Sequence, residues 1–254
     1  MSHNPRAGAV ARHRQVWILL GVAERRIKIQ PMPSGEQAEP EVRRQRLVDS
    51  WTEAGAIRDP RVLAAMRAVP REAFVPAELR ERAYDDAPLP IGAGQTISQP
   101  FMVARMAQAL ELSGEERVLE VGTGSGYAAA VLSLLAREVH SIERIESLAA
   151  SAAGRLHALG YANVRVHVGD GTRGWSPSEP YQAIVVAAAG PRVPPELLRQ
   201  LTDPGRLVLP IGEYEEQVLV RIRRTATGDE REELEVVRFV PLVGEDAADA
   251  APPH

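Results

Sequence analysis

A short strand that breaks into a glycine turn and restarts as a helix constrains this chain more than any other stretch. It reads VLEVGTGSGYAAAVL, from Val118 to Leu132. Gly122, Gly124 and Gly126 alternate with Thr123 and Ser125, so the backbone there can make a tight turn and approach a ligand closely. The segments that follow repeat the pattern. EVHSIER and NVRVHVGD read as strands with the helix ESLAASAAGRLHALG between them, and then come YQAIVVAA, the helix PPELLRQL and the strand GRLVLPIG. Strands alternating with helices of this length predict an α/β fold, a doubly wound, mostly parallel sheet covered on both faces.

Before this core the chain is helical and broken by prolines. EVRRQRLVDSWTEAG predicts a helix that buries Val42, Leu47 and Trp51 and stops at Gly55. Asp59 followed by Pro60 predicts the capped start of a second helix, with Val62, Met66 and Val69 inward. Pro76, Pro88 and Pro90 prevent a long element over the next segment, and GAGQTISQP, Gly92 to Pro100, reads as a loop. A third helix is predicted from Pro100, with Val103, Met106, Ala107 and Leu110 inward. After the core, two apolar segments around TGDE predict an antiparallel strand pair at the sheet edge. The expected organisation is a flexible extension over residues 1–40, a helical region with a substrate loop over 41–115, and the ligand-binding core over 116–212. Closing strands over 213–244 and a flexible tail over 245–254 complete it.

Composition removes several classes of function. The net charge of −4 gives no general case for nucleic acid or an anionic membrane as partner. No stretch reaches the roughly 18–20 apolar residues that span a bilayer. The absence of cysteine excludes disulfides, thiolate nucleophiles and cysteine-held zinc, and is compatible with a cytoplasmic setting. The six histidines show no metal-binding spacing, so no metal is expected. Basic residues before the apolar run Val16–Ala23 resemble a signal peptide, but the run is eight residues long and AERR follows it at once. A monomer is compatible with the sequence, which does not fix the oligomeric state.

The ligand of the glycine turn is narrowed by what surrounds it. A dinucleotide turn of the form G-x-G-x-x-G fails from Gly122, where Tyr127 stands last, but a G-x-G-x-x-A form survives from Gly124 to Ala129. A P-loop fails because no Lys-Ser or Lys-Thr follows. Three acids mark the ends of successive strands: Glu120, Glu143 and Asp170. Glu120 repels pyrophosphate but tolerates a cation, Glu143 is placed to accept from a ribose diol, and Asp170 to meet an adenine edge. A nucleoside without phosphate suits them, and S-adenosylmethionine, with its sulfonium cation, fits. Blander readings stand beside these. Glu143 could pair with Arg144 at the surface, Asp170 could serve only its turn, and Tyr127 could pack the turn. For His140, His157 and His167, structural or surface roles are favoured.

At these residues the sequence resembles the protein-L-isoaspartate O-methyltransferase family. The resemblance is carried by VPREAFVP (Val69–Pro76), LPIGAGQTISQPFMVARM (Leu89–Met106), VLEVGTGSGYAAAVL, VHSIER (Val139–Arg144), GDGTRGW (Gly169–Trp175), GRLVLPIG (Gly205–Gly212) and VRFVPLV (Val237–Val243). It covers about residues 41–244, and the GQTISQP loop is its most specific part. It implies a sheet of the S-adenosylmethionine-dependent methyltransferase type. It also implies methylation of the free carboxylate of L-isoaspartyl residues in damaged proteins and peptides. Ser98 matches the family's active-site serine, with Gln95, Thr96 and Ile97 beside it at the substrate. Glu120, Gly122, Thr123, Gly124 and Gly126, with Glu143, Asp170 and Gly171, fall at donor-binding positions. The chain departs from the pattern at Gln182, where the family has Asp, at Asp203-Pro204-Gly205, and in VVAAAG, which lacks a hydroxyl.

The chemistry so implied asks little of reactive side chains. A carboxylate with pKa about 4 is already ionised and nucleophilic at neutral pH. No general base is needed; Ser98 and loop N–H groups have only to orient the carboxylate, and PLPIGAGQ to cover it. The ester then cyclises to a succinimide without the enzyme. Three alternatives stay open at this point: methylation of another carboxylate or a small molecule, a binding protein on the same fold, and an NAD-linked oxidoreductase.

Overall fold

Periodicity and capping place three helices ahead of the sheet. In the computed structural model, which describes residues 39–213 and 216–246, α1 spans Pro40–Glu53, α2 Pro60–Ala68 and α3 Pro100–Ala109. The extension and signal-like run of the first 38 residues, and the tail past residue 246, lie outside the described residues. Asp59 caps α2 as expected, accepting the Arg61 N–H at 2.8 Å, with Pro60 in the first turn. The inner face of α1 differs from expectation. It is formed by Val48 and Trp51, while Val42 is 41% exposed. Val42 and Trp51 are nine residues, or about two and a half turns, apart, so they point to opposite sides of the helix.

The segment read as a loop contains a small antiparallel ribbon. Strand β1 (Leu89–Gly92) pairs with β2 (Gln95–Ile97), Leu89 opposite Ile97. Its turn runs through positive φ at Gly92, Ala93 and Gly94 (94°, 50° and 70°), which explains the two glycines. Strands of four and three residues are too short to declare a period of two.

The core alternates as the sequence predicts: β3 (Arg117–Val121), α4 (Tyr127–Ser133), β4 (Glu138–Glu143), α5 (Glu146–Ala158), β5 (Val164–Val168), β6 (Tyr181–Val186), α6 (Pro195–Arg199) and β7 (Leu201–Glu213). The expected edge pair follows as β8 (Glu216–Thr225) and β9 (Gly228–Val237). Spatial order is β5-β4-β3-β6-β7-β8-β9, with the first five strands parallel and the last two antiparallel. Val118, Val139 and Val185 pack with residues of α1 to α5 in one core, while Leu119, Val121, Ile142 and Ile184 join Leu197 of α6 in the other. The chain steps from β3 outward to β4 and β5, then returns past β3 to β6. Such a reversal opens a crevice at the carboxyl ends of the strands, where α/β sheets bind ligands.

Two sequence features resolve away from that crevice. Gln182 lies at the opposite end of β6, where its Oε1 accepts the Arg117 N–H at 2.8 Å. The side chain that replaces the family's Asp therefore supplies a carbonyl acceptor to the neighbouring strand. His140 and His167, for which structural or surface roles are expected, hydrogen-bond each other (Nδ1 to Nε2, 2.9 Å), and His167 stacks on Trp175 at 4.1 Å. Burial and the neighbouring His140 and Arg165 push His167 down to about 4, and burial lowers His140 as well.

Candidate active site

A cleft enclosing about 910 Å³, part of it open to solvent, occupies the crevice. Its floor is the glycine turn after β3. Gly122, Gly124 and Gly126 hold φ of 96°, 52° and 90°, which favours glycine at each. Gly126 also packs against α5, where a Cβ would come within 3.2 Å of Leu156. Gly122, Thr123 and Gly124 line the cleft, but Gly126 lies behind it and shapes the turn.

Glu143, at the end of β4, is buried and faces the cleft rather than pairing with Arg144 at the surface. Its Oε2 accepts the Gly124 N–H at 2.9 Å and its Oε1 the Ile145 N–H at 3.0 Å. The two bonds tie the end of β4 to the glycine turn and leave each oxygen a second lone pair. Val121 and Ile142 supply apolar floor, and Gly171 lies on them so closely that a Cβ there would overlap the Val121 side chain.

Glu120 lies beneath the cleft rather than in it. It is 1% exposed, and its Oε2 accepts a hydrogen bond from Ser141, whose Oγ is 2.6 Å from Thr123 Oγ1. The register that pairs Glu120 with Ser141 creates this buried polar chain. Burial, with a smaller contribution from Glu143, pushes the Glu120 carboxyl up to about 8. At neutral pH it is mostly protonated, so the cation tolerance read from sequence does not rest on a fixed negative charge there.

Asp170 also stands outside the cleft lining, and its carboxylate is engaged internally. Oδ1 accepts from the Thr172 N–H (2.9 Å) and hydroxyl (2.7 Å), and Oδ2 from the Glu245 N–H (2.7 Å). Burial alone would raise its pKa, but these donors outweigh burial and hold it below the usual range. The Asp246 N–H donates to Thr172 Oγ1, so the segment expected to be a flexible tail from 245 is tied to the core through 246. This strap brings Val240, Pro241, Leu242 and Val243 along the cleft wall, anchored by the Leu242 N–H on the Ala189 carbonyl at 2.6 Å. In the sequence, VRFVPLV carries only the resemblance, and nothing local marks Val240 to Val243 as residues of the site.

The opposite wall is the β1–β2 ribbon. Gln95, Thr96, Ile97 and half-buried Ser98 all line the cleft. The ribbon closes on the glycine turn: a Cβ on Gly124 would lie 3.3 Å from Ile91 Cδ1. The Ser98 hydroxyl residue and the Glu143 carboxylate, 45 positions apart in the chain, thus border one space. Among the described residues no cluster of His, Asp or Glu is arranged to hold a metal ion.

A family model described as Protein-L-isoaspartate(D-aspartate) O-methyltransferase (PCMT) matches residues 42–247. The chain belongs to this family. It is 58% identical over 212 residues to Protein-L-isoaspartate O-methyltransferase 1 of Rhodopseudomonas palustris (strain HaA2), covering 82% of this chain and 86% of that one. It is 57% identical over 216 residues to Protein-L-isoaspartate O-methyltransferase 2 of Pelobacter propionicus, covering 84% and 96%. Among solved structures, a protein-L-isoaspartate O-methyltransferase superposes with a TM-score of 0.71 at 27% identity, covering 80% of this chain and 67% of the other. A beta-aspartate methyltransferase (PCMT) from Plasmodium falciparum in complex with S-adenosyl-L-homocysteine superposes with a TM-score of 0.68 at 26% identity, covering 79% and 98%. The family's methyltransferase sheet is the one described above, and no helix among the described residues is long and apolar enough to cross a membrane.

Proposed function

We propose that this chain carries out its family's reaction, transferring a methyl group from S-adenosylmethionine to the free carboxylate of L-isoaspartyl residues in damaged proteins and peptides. The observation that carries the assignment of roles is the meeting of the Ser98 ribbon and the Glu143 turn around one cleft. Glu143 is read as the acceptor for the donor's ribose, and the glycine turn as the surface on which the donor lies. Gly171 with Val121 and Ile142 forms the apolar bed for its base. Asp170 supports that bed by holding the strap, and any contact with the base uses a remaining lone pair. The cytoplasm is the proposed setting and a single chain the proposed working unit.

The donor, when bound, supplies a methyl group activated by its sulfonium. The substrate carboxylate oxygen forms the new O–CH₃ bond as the CH₃–S bond breaks and its electron pair returns to sulfur, leaving a neutral thioether and a methyl ester. No proton moves, so the protein's task is orientation and exclusion of water. Ser98 donates a hydrogen bond to the carboxylate from the ribbon wall, and Gln95 to Ile97 line its approach. The ester is then lost as methanol when the following backbone nitrogen attacks the carbonyl, giving the succinimide that hydrolyses partly to ordinary aspartate.

Paired peptides differing only in an isoaspartyl or aspartyl residue, with labelled donor, test the reading. Methylation confined to the isoaspartyl peptide is expected; equal methylation of both overturns it. Ser98→Ala is expected to lower kcat/KM by roughly 10- to 150-fold, the loss of one hydrogen bond to a charged group. Donor affinity should stay within about twofold in the same variant. Loss of both by the same factor would remove the role given to Ser98.

A further inference from the structure

Arg71 is fully buried, although it lies just past α2 in a four-residue turn and belongs to none of the cleft-lining segments. Its guanidinium spends its donors on backbone carbonyls: Nε on Ala83 at 2.8 Å, Nη2 on Ala87 at 3.3 Å and Nη1 on Ser98 at 2.7 Å. Ala83 and Ala87 precede β1, and Ser98 follows β2. One rigid cation therefore clamps both feet of the ribbon that forms the acceptor wall. The same guanidinium lies 5.1 Å from the ring centre of Tyr127, the first residue of α4 after the glycine turn. It thus touches the foot of the acceptor wall and the helix that fixes the donor floor.

This arrangement is demanding. Burial lowers the Arg71 pKa, and the nearby Asp86 carboxylate opposes that effect, while the buried Tyr127 phenol stays neutral. Asp86, between Ala83 and Ala87, accepts the Phe101 N–H at 3.0 Å and so ties this segment to the first turn of α3. A buried charge is tolerated only when its donors are satisfied, and the planar fork of arginine satisfies three divergent carbonyls where a lysine ammonium presents a single point. Reaction by direct displacement depends on the distance and angle between acceptor oxygen and methyl carbon, and a misplacement of about 1 Å can cost roughly 100-fold in rate.

We propose that Arg71 is a positioning residue for methyl transfer: by clamping the Ser98 carbonyl and both feet of the ribbon against Tyr127, it sets the distance between acceptor wall and donor floor. The inference rests on the proposed role of the Ser98 ribbon as the acceptor wall. The experiment compares Arg71→Lys, Arg71→Met and Ser98→Ala in the full chain. It measures kcat and KM for an isoaspartyl peptide, the Kd of S-adenosylhomocysteine by titration, and the melting temperature. The expected result is a fall in kcat of roughly tenfold for Lys and roughly 100-fold for Met, measured well below the melting temperature, with the Kd within about twofold of wild type. A role in stability alone would lower the melting temperature and leave kcat per folded molecule unchanged.

Wild-type kcat in a folded Arg71 variant overturns the proposal, as does a parallel fall of kcat and S-adenosylhomocysteine affinity by the same factor. If Arg71→Met does not fold, Arg71→Lys decides by the same two criteria. Full activity in Ser98→Ala alongside a fall in the Arg71 variants would remove the hydroxyl's role and keep the clamp. The reverse pattern would remove the clamp alone.

Discussion

Glu143→Gln isolates the link between the sheet and the donor, because it removes a charge with almost no change in shape. The carboxylate faces two backbone donors at once, the N–H groups of Gly124 and Ile145 at 2.9 and 3.0 Å. A glutamine has one acceptor oxygen, so in either orientation its NH₂ group meets one of these N–H groups and leaves it unpaired. The oxygen lone pairs that remain toward the cleft are those assigned to the ribose. A hydrogen bond to a charged group contributes about 1.5–3 kcal/mol, so losing one such bond predicts donor binding weaker by roughly 10- to 150-fold. The assay is titration of S-adenosylhomocysteine into folded wild-type and variant protein, repeated with a ligand lacking the ribose 2′-hydroxyl. If Glu143 holds the ribose, removing the hydroxyl weakens wild type substantially and the variant hardly further, because both changes delete the same interaction. Two outcomes would refute the reasoning: a variant Kd within about twofold of wild type, or fully additive losses from protein and ligand.

Two further outcomes test the packing around the site. Gly171→Ala forces a methyl into the Val121 side chain, an overpacking of about 1–3 kcal/mol. Its melting temperature should fall by roughly 2–12 °C and donor affinity should fall with it; unchanged melting would show that the sheet yields without strain. The histidine pair predicts a pH dependence. His140 and His167 are harder to protonate folded than unfolded, so the stability they confer is complete above about pH 6.5. It is lost as the pH falls from there toward about 4, where folded His167 itself takes a proton. His167→Phe, which keeps a ring against Trp175, should flatten this part of the melting-temperature profile, and identical slopes in variant and wild type would count against the pair.

Much of this molecule is written locally. The alternation of apolar strands with helices sets the sheet, since a helix between two strands returns the chain for parallel pairing. The glycine turn shows itself because positive φ selects glycine at Gly122, Gly124 and Gly126. Glu143 could be placed at the carboxyl end of a strand from the length of EVHSIER alone. The acids on either side of it are not fixed so locally. Glu120 and Asp170 have the right strand-end positions, but whether a carboxylate faces the cleft or turns inward depends on what stands beside it. Ser141 arrives beside Glu120 through the register of β3 with β4, and the 245 N–H reaches Asp170 from 75 residues away.

Sequence alone therefore determined the fold class, the place of the donor turn and, through its resemblance, the family; these follow from backbone preference and short-range periodicity. Tertiary structure decided which polar groups face one another: the ribbon closed over Gly124, the strap latched to Asp170, the stacked histidines, and the Arg71 clamp on carbonyls 12, 16 and 27 residues away. Those contacts depend on register and on how distant segments pack. A side chain's own position in the sequence carries no mark of a partner that only the folded sheet brings within reach.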